Sequence, residues 1–354
     1  MSMSDGTPEP TEVHQESKII TVTLNPSLDR TFVTHFLAVG YHNRTVETTK
    51  LHVAGRGMNV ARAVHALGMP VHAVALIGVD ATGRSYEALL TEEQFPITVL
   101  RRSGRTRSNI VIKDTGLNNE TVILEESEGV TQEDLRIVSD TLIQLINPND
   151  VVVFAGSLPG SVPTDTYTGL IDTAQKAGAK VAVNAGGGAA LEESLSAGPD
   201  LIYLTRTELE GMFNFPVRAY EDVVYCAQQL RERGAQRVLV SMPREMDALL
   251  VTEEGMWMAD QPEVEFGTHS GQTEALVAGY LAVRRKGGNA EEAIRLAAAA
   301  AAFAVSHLGA EFGTMHDIEP YLTETLVTPI RTLEDLPQPD PENPPPSHPV
   351  SDID

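Results

Sequence analysis

Short apolar runs alternate along this chain with stretches whose apolar positions recur at helical spacing. Residues 19–24 form a β-branched, aliphatic run that stops at Asn25-Pro26, a turn signal. Residues 58–67 have helical spacing closed by Gly68, 71–77 reads as a strand, and 83–90 as a helix. The alternation continues with helix 134–146, the apolar strand 151–154, helix 167–177 and strand 181–183. Strand 201–204, helix 222–233 and strands 237–241 and 248–251 follow. Helices 274–286 and 290–308 come next, and the small residues at 297–302 suit close helix packing. This order predicts an α/β fold with a mainly parallel sheet and helices on both faces. Ligands in such folds sit beyond the carboxyl ends of the strands. Two stretches, 31–53 and 97–124, carry β-type patterns without an intervening helix and predict a small inserted β lid. There is no internal repeat.

The ends read differently. Residues 1–17 lack apolar periodicity, and the chain turns Pro- and acid-rich after about 331. Such segments bury too little apolar surface to offset their ordering entropy. The expectation is a disordered segment 1–17, one domain over 18–310, and a C-terminal extension 311–354, disordered from about 332. Across 354 residues the net charge is -23. That argues against nucleic acid and anionic membranes as partners, because both need a basic footprint. A phosphate site must then be a local cluster of Arg or Lys. No run has the unbroken length of a membrane span, and the N-terminus lacks the pattern of a secretory signal. The single cysteine, Cys226, sits in a helical apolar pattern that suits packing, and its being alone points to a reducing, cytoplasmic setting.

Candidate chemistry lies at the strand ends. Ser270-Gly271-Gln272-Thr273-Glu274 opens an apolar helix with a carboxylate in its first turn. A helix N-terminus presents unpaired N–H groups to an anionic phosphoryl group, and a carboxylate beside it can take a proton from a hydroxyl. Asn25-Pro26-Ser27-Leu28-Asp29 puts a carboxylate just past the first strand. Ala54-Gly55-Arg56-Gly57-Met58-Asn59-Val60-Ala61-Arg62 is a glycine-bracketed cation entering a helix. Thr106-Arg107-Ser108-Asn109 falls in the expected lid, and Gly156-Ser157-Leu158-Pro159 follows the strand at 151–154.

In order and spacing these motifs resemble the ribokinase-like (phosphofructokinase B) sugar kinases, in the branch of 1-phosphofructokinase and tagatose-6-phosphate kinase. The resemblance spans about residues 19–308. It implies a ribokinase-like three-layer fold and ATP-dependent phosphorylation of a sugar phosphate, with Mg²⁺. Asp29 and Asn59 would then bond sugar hydroxyls, and Gly55 and Gly57 would let backbone approach the sugar. Arg56 and Arg107 would grip the phosphate already on the sugar, with Asn109 and Ser157 as further polar contacts. Glu274 would be the base, beside Gly271 and Thr273 at the anion hole. Thr205, Glu208, Ser241 and Gly271 would serve the nucleotide, with Glu208 organising the metal indirectly. Lid pairing between subunits would give a homodimer.

The nucleotide side departs from that family's wording. Gly-Ala-Gly-Asp is replaced by Gly271-Gln272-Thr273-Glu274, so the base is one methylene longer and a β-branched residue crowds the anion hole. Lys-Pro-Asn-x-x-Glu becomes Tyr203-Leu204-Thr205-Arg206-Thr207-Glu208. The glycine-bearing loop after Ser241 becomes Met242-Pro243-Arg244-Glu245-Met246-Asp247, and Asn184-Ala185-Gly186 stands for Asp-Thr/Ser-Gly. Arg56 replaces the family's lysine. Two readings follow: a sugar-phosphate kinase with an altered catalytic motif, and an impaired homologue that binds a sugar phosphate as a sensor or assembly partner.

Overall fold

A computed structural model describes residues 17–117, 119–160, 162–242, 247–262, 264, 270–307, 310–332 and 335–336. The expectations for residues 1–16 and 337–354, and for Pro243 to Met246 after Ser241, lie outside the described residues. In chain order the elements begin with β1 (Ile19–Thr23), β2 (Ser27–Thr34), β3 (Lys50–Ala54), α1 (Arg56–Ala66), β4 (Val71–Gly78), α2 (Ala81–Leu89) and β5 (Ile97–Arg102). Next come β6 (Arg107–Asp114), β7 (Asn119–Ile123), α3 (Gln132–Leu145), β8 (Val151–Ala155), α4 (Thr166–Lys176), β9 (Lys180–Asn184) and α5 (Gly188–Ser194). The remainder is β10 (Leu201–Thr205), α6 (Arg206–Phe213), α7 (Tyr220–Glu232), β11 (Val238–Met242), β12 (Asp247–Val251), β13 (Met256–Asp260), α8 (Gln272–Arg285), α9 (Ala290–Ser306), α10 (Met315–Glu324) and β14 (Leu326–Ile330).

The main sheet has ten strands in the order β14-β13-β12-β11-β10-β9-β8-β1-β4-β5. Strands β5 through β11 in that order run parallel, and β12, β13 and β14 are antiparallel. Alternate side chains of the buried strands feed two cores. One packs Met58, Val60 and Val64 of α1 with Leu276 and Ala278 of α8 and Ala297 to Ala301 of α9. The other packs Val138, Leu142, Leu170, Ile171, Leu209 and Val223 from α3, α4, α6 and α7. Cys226 belongs to this second core, and burial pushes its thiol pKa up to about 11, as packing requires. After β1 the chain moves one way to β4 and β5, then returns to place β8 on the other side of β1. That reversal opens a crevice past the carboxyl ends of β1 and β8.

A second sheet of four strands, β3-β2-β6-β7, stands apart from the first. Ile97–Arg102, expected in the lid, instead forms β5, paired with β4 at the edge of the main sheet. Its pattern specifies a strand but not which sheet receives it. The lid also starts earlier than expected, because β2 begins at Ser27. The domain does not stop near residue 310: α10 packs on α9, and β14 completes the sheet beside β13. Helices α5, α6 and α10 have no counterpart among the helices that the apolar spacing predicts. No helix among the described residues is long and apolar enough to cross a membrane.

Candidate active site

The crevice is built where β1, β8, β9 and β10 end. α1 lies tight on β1 because Gly57 has no side chain: a Cβ there would stand 2.3 Å from Thr23 Oγ1 and 2.9 Å from the Val22 carbonyl. Gly55, at φ 130°, meets the same limit against Thr23 Cγ2 at 2.7 Å. Both glycines therefore admit strand β1, where the sequence suggested that they admit a sugar. Their effect is to fix the first turn of α1, and with it Arg56, over the strand ends.

Arg56 reaches across to β9 and α6. Its Nη1 donates to Glu208 Oε1 at 2.6 Å and to Asn184 Oδ1 at 2.5 Å. Arg107 points elsewhere, donating to the Asn25 carbonyl at 3.3 and 3.4 Å and to Asn109 Oδ1 at 3.2 Å. The two guanidiniums, expected together on one phosphate, are held by different partners in the resting protein. Asn184, fully buried, joins the parts around Arg56. It also donates to the Tyr203 carbonyl at 2.8 Å and to Glu208 Oε2 at 3.3 Å, and accepts from the Gly186 N–H at 3.0 Å. The motif comparison placed Asn184 on the nucleotide side but assigned it no role, and a polar residue ending an otherwise apolar strand was a further signal.

Glu208 has a second task. Thr205 caps α6 by accepting from the Glu208 N–H at 3.2 Å, and Glu208 Oε2 accepts from the Thr205 N–H at 2.7 Å. This is a capping box, written in the sequence as Thr-x-x-Glu. The Thr205 hydroxyl, expected at the nucleotide, is committed to the helix end. Ser241, fully buried near the end of β11, has a hydroxyl with no partner among the described residues.

Gly271 is left-handed (φ 85°) and starts α8 without a side-chain cap. A Cβ there would stand 3.1 Å from the Phe312 ring, and the backbone angle disfavours any other residue. Gln272, Thr273 and Glu274 fill the first turn and are all buried. Burial pushes the Glu274 carboxyl above the ordinary glutamate range, and the nearby Glu208 adds to this; Arg56 and the Glu274 backbone N–H, which bonds its own carboxylate, pull the other way.

The lid forms the other wall. Asp29 Oδ1 accepts from Ser27 Oγ at 2.7 Å and from Asn109 Nδ2 at 2.9 Å, which fixes the carboxylate. Asn59 Oδ1 accepts from Arg62 at 3.1 Å. At the lid root, Thr106 Oγ1 accepts from the Gly78 N–H at 2.8 Å, and the Thr106 N–H donates to Asp80 at 3.0 Å. Asn25 Nδ2 donates to Ser157 Oγ at 3.3 Å across the crevice. Strand register sets Asp29 beside His52 and Asn109, Thr31 beside Lys50, and Val33 beside Lys113. Registered neighbours share a face, so His52, Lys50 and Lys113 project on the side of Asp29. His52 is held below its ordinary pKa by burial, then by Arg62 and Lys50, against the pull of Asp29. Among the described residues neither Lys50 nor Lys113 has an ion-pair partner. Within an acidic chain this face is locally cationic.

A parallel-sheet domain with a lid over the switch point and an open helix terminus carrying a carboxylate defines a ribokinase-like α/β protein. Residues 22–317 match the pfkB family of carbohydrate kinases, and the chain belongs to that family. The 1-phosphofructokinase of Bacillus subtilis (strain 168) is 32% identical over 310 residues, covering 88% of this chain and 99% of that protein. The 1-phosphofructokinase of Haemophilus influenzae is 29% identical, covering 88% and 98%. Phosphofructokinase-2 of Escherichia coli, solved with fructose-6-phosphate, superposes with a TM-score of 0.78 at 26% identity, covering 87% of this chain and 99% of that one. A tetrameric inhibited form of the same enzyme gives a TM-score of 0.79.

Proposed function

We propose that the chain transfers the γ-phosphoryl group of ATP to a free hydroxyl of a ketose phosphate, of which fructose 1-phosphate is the leading candidate. The observation that carries this is the buried Glu274 carboxyl at the uncapped start of α8, beside Arg56. Asp29, Asn109 and Asn59 hold the sugar hydroxyls. Arg107, with Lys50 and Lys113 on the cationic lid face, receives the phosphate that the sugar brings. Glu274 takes the proton from the attacking hydroxyl, and the first-turn N–H groups of α8 face the phosphoryl group as charge develops on it. Lid closure excludes water. Such a reaction draws on cytoplasmic ATP.

The Ser241 hydroxyl and the Gln272 amide, both buried and without a partner among the described residues, fit a nucleotide that brings polar atoms. A metal held by protein side chains alone does not fit. Among the described residues no group of three or more acidic, His or Cys side chains is placed to hold a metal ion, and Glu208 is already bonded to Arg56 and Thr205. Mg²⁺ fits as the companion of the nucleotide phosphates, where it neutralises charge.

The impaired reading draws on one observation, the Arg56–Glu208 pair that occupies the crevice in the resting protein. Incubation with MgATP and fructose 1-phosphate, fructose 6-phosphate or tagatose 6-phosphate, followed by ADP release and melting temperature, separates the two. Turnover with one sugar is expected. No ADP with any of the three, together with stabilisation by a sugar phosphate alone, sinks the kinase and favours the sensor.

On the lid face opposite Asp29, Leu51, Ile110 and Ile123 are exposed apolar side chains. We take this face as the homodimer contact. Sedimentation should find a dimer that Ile123→Lys splits into monomers; a wild-type monomer at micromolar concentration would overturn it.

A further inference from the structure

The end of β9 carries an amide that no step of the proposed reaction uses. Asn184 is fully buried there, and each end of its side chain makes two bonds. Oδ1 accepts from Arg56 Nη1 at 2.5 Å and from the Gly186 N–H at 3.0 Å. Nδ2 donates to the Tyr203 carbonyl at 2.8 Å and to Glu208 Oε2 at 3.3 Å. A backbone carbonyl can only accept, so the Tyr203 contact fixes which end of the amide is nitrogen. Leucine has the shape but none of these bonds. Aspartate would set an oxygen against two acceptors, which burial makes costly.

What the amide holds is one edge of a guanidinium. Arginine carries five N–H donors in a planar fork. Both hydrogens of Nη1 are taken, one by Asn184 and one by Glu208 at 2.6 Å. Nε and Nη2 have no hydrogen-bond partner among the described residues. The Arg56 side chain is 39% exposed, although Asn184 is fully buried and the Glu208 side chain is 10% exposed. The free edge is therefore the accessible one. The stem is fixed as well, because a Cβ on Gly156 at the end of β8 would stand 3.7 Å from Arg56 Cβ.

The proposed reaction brings two phosphate groups, one on the sugar under the lid and one arriving with the nucleotide. Arg107 stays on the lid side, bonded to the Asn25 carbonyl and Asn109. Arg56 starts where lid strand β3 gives way to α1 and crosses the ends of β1 and β8 to β9 and α6, away from the lid. We infer that Asn184 is a positioning residue: with Glu208 it pins Arg56 by Nη1, so that the Nε–Nη2 edge meets two oxygens of the phosphoryl group being transferred. The inference rests on the kinase reading of this crevice. Charge that develops on those oxygens then meets a cation already in place. A lysine at 56 could not take both parts, because its N–H groups share one nitrogen and Asn184 and Glu208 would claim it. A neutral amide at 184 also keeps a second negative charge away from an incoming polyphosphate.

Asn184→Asp keeps the shape and reverses the end that faces Tyr203 and Glu208. With MgATP and the sugar phosphate that turns over, kcat should fall about ten- to a hundredfold, and KM for the sugar phosphate should stay within about twofold. In an Arg56→Lys background no fork remains to be aligned, so the same substitution should change kcat by less than about threefold. Equal falls in the two backgrounds, a raised KM with kcat kept, or a folded Asn184→Asp protein at the parental kcat would each overturn the inference. NMR of protein labelled with ¹⁵N-arginine reads the anchor without turnover. Arg56 signals, identified by their loss in Arg56→Lys, should include Nη1 protons that inorganic phosphate leaves in place and an Nε proton that it shifts. Phosphate that moves the Nη1 protons, or leaves the Nε proton unmoved, overturns the inference even where Asn184→Asp does not fold. An inactive wild type whose Nε proton shifts with phosphate would defeat the kinase reading while supporting the pinned fork.

Discussion

Glu274→Gln is expected to lower turnover about 10²–10⁴-fold while leaving sugar-phosphate binding intact, because it removes the proton acceptor and keeps its shape. It is also expected to raise the melting temperature at neutral pH. The Glu274 carboxyl is raised in the folded state, chiefly by burial, so folding favours its protonated form. Below the ordinary glutamate pKa the group is protonated in both states and costs nothing. As pH rises from that value through the raised native one, the ionised group destabilises the fold. Calorimetry at acid and neutral pH should therefore find the variant more stable than the parent only at the higher pH. The parent's kcat should fall as pH drops through the raised value, above where an exposed glutamate would titrate. Turnover within tenfold of the parent would remove Glu274 from the chemistry.

Arg56→Ala is the second large effect. Glu208, with its side chain 10% exposed, loses its ion-pair partner, and Glu274 loses its nearest cation. Losing one member of a buried pair costs about 3–5 kcal/mol. Because the Arg56 side chain is 39% exposed, about 1–3 kcal/mol is the better expectation. The acid limb of kcat moves further up in pH, and kcat falls about 10²–10³-fold. KM for the sugar phosphate should change little, whereas Arg107→Ala should raise it about tenfold or more. The reverse pattern would return Arg56 to the sugar phosphate, where the motif first suggested it belonged.

That contrast marks where the sequence stops being legible. The alternation of strands and helices could be read from apolar periods, and the motif order carried the family. Glycine-bracketed Arg56 could be placed at a helix start. Its partner could not, because Glu208 lies 152 residues away and the rotation of α1 over β1 decides which charge the side chain meets. The Thr205–Glu208 capping box was written in the sequence, yet both residues read first as nucleotide contacts. Asn184 and Tyr203 gain meaning only from neighbours on other strands. Residues 97–102 show the same limit at the scale of a strand.

The outermost strand, β14, carries Pro329 opposite Trp257. A proline has no N–H to offer an incoming chain, so it interrupts the exposed ladder of a border strand. The main sheet is thereby protected on that flank, by a strand from near its own C-terminus, against end-to-end polymerisation.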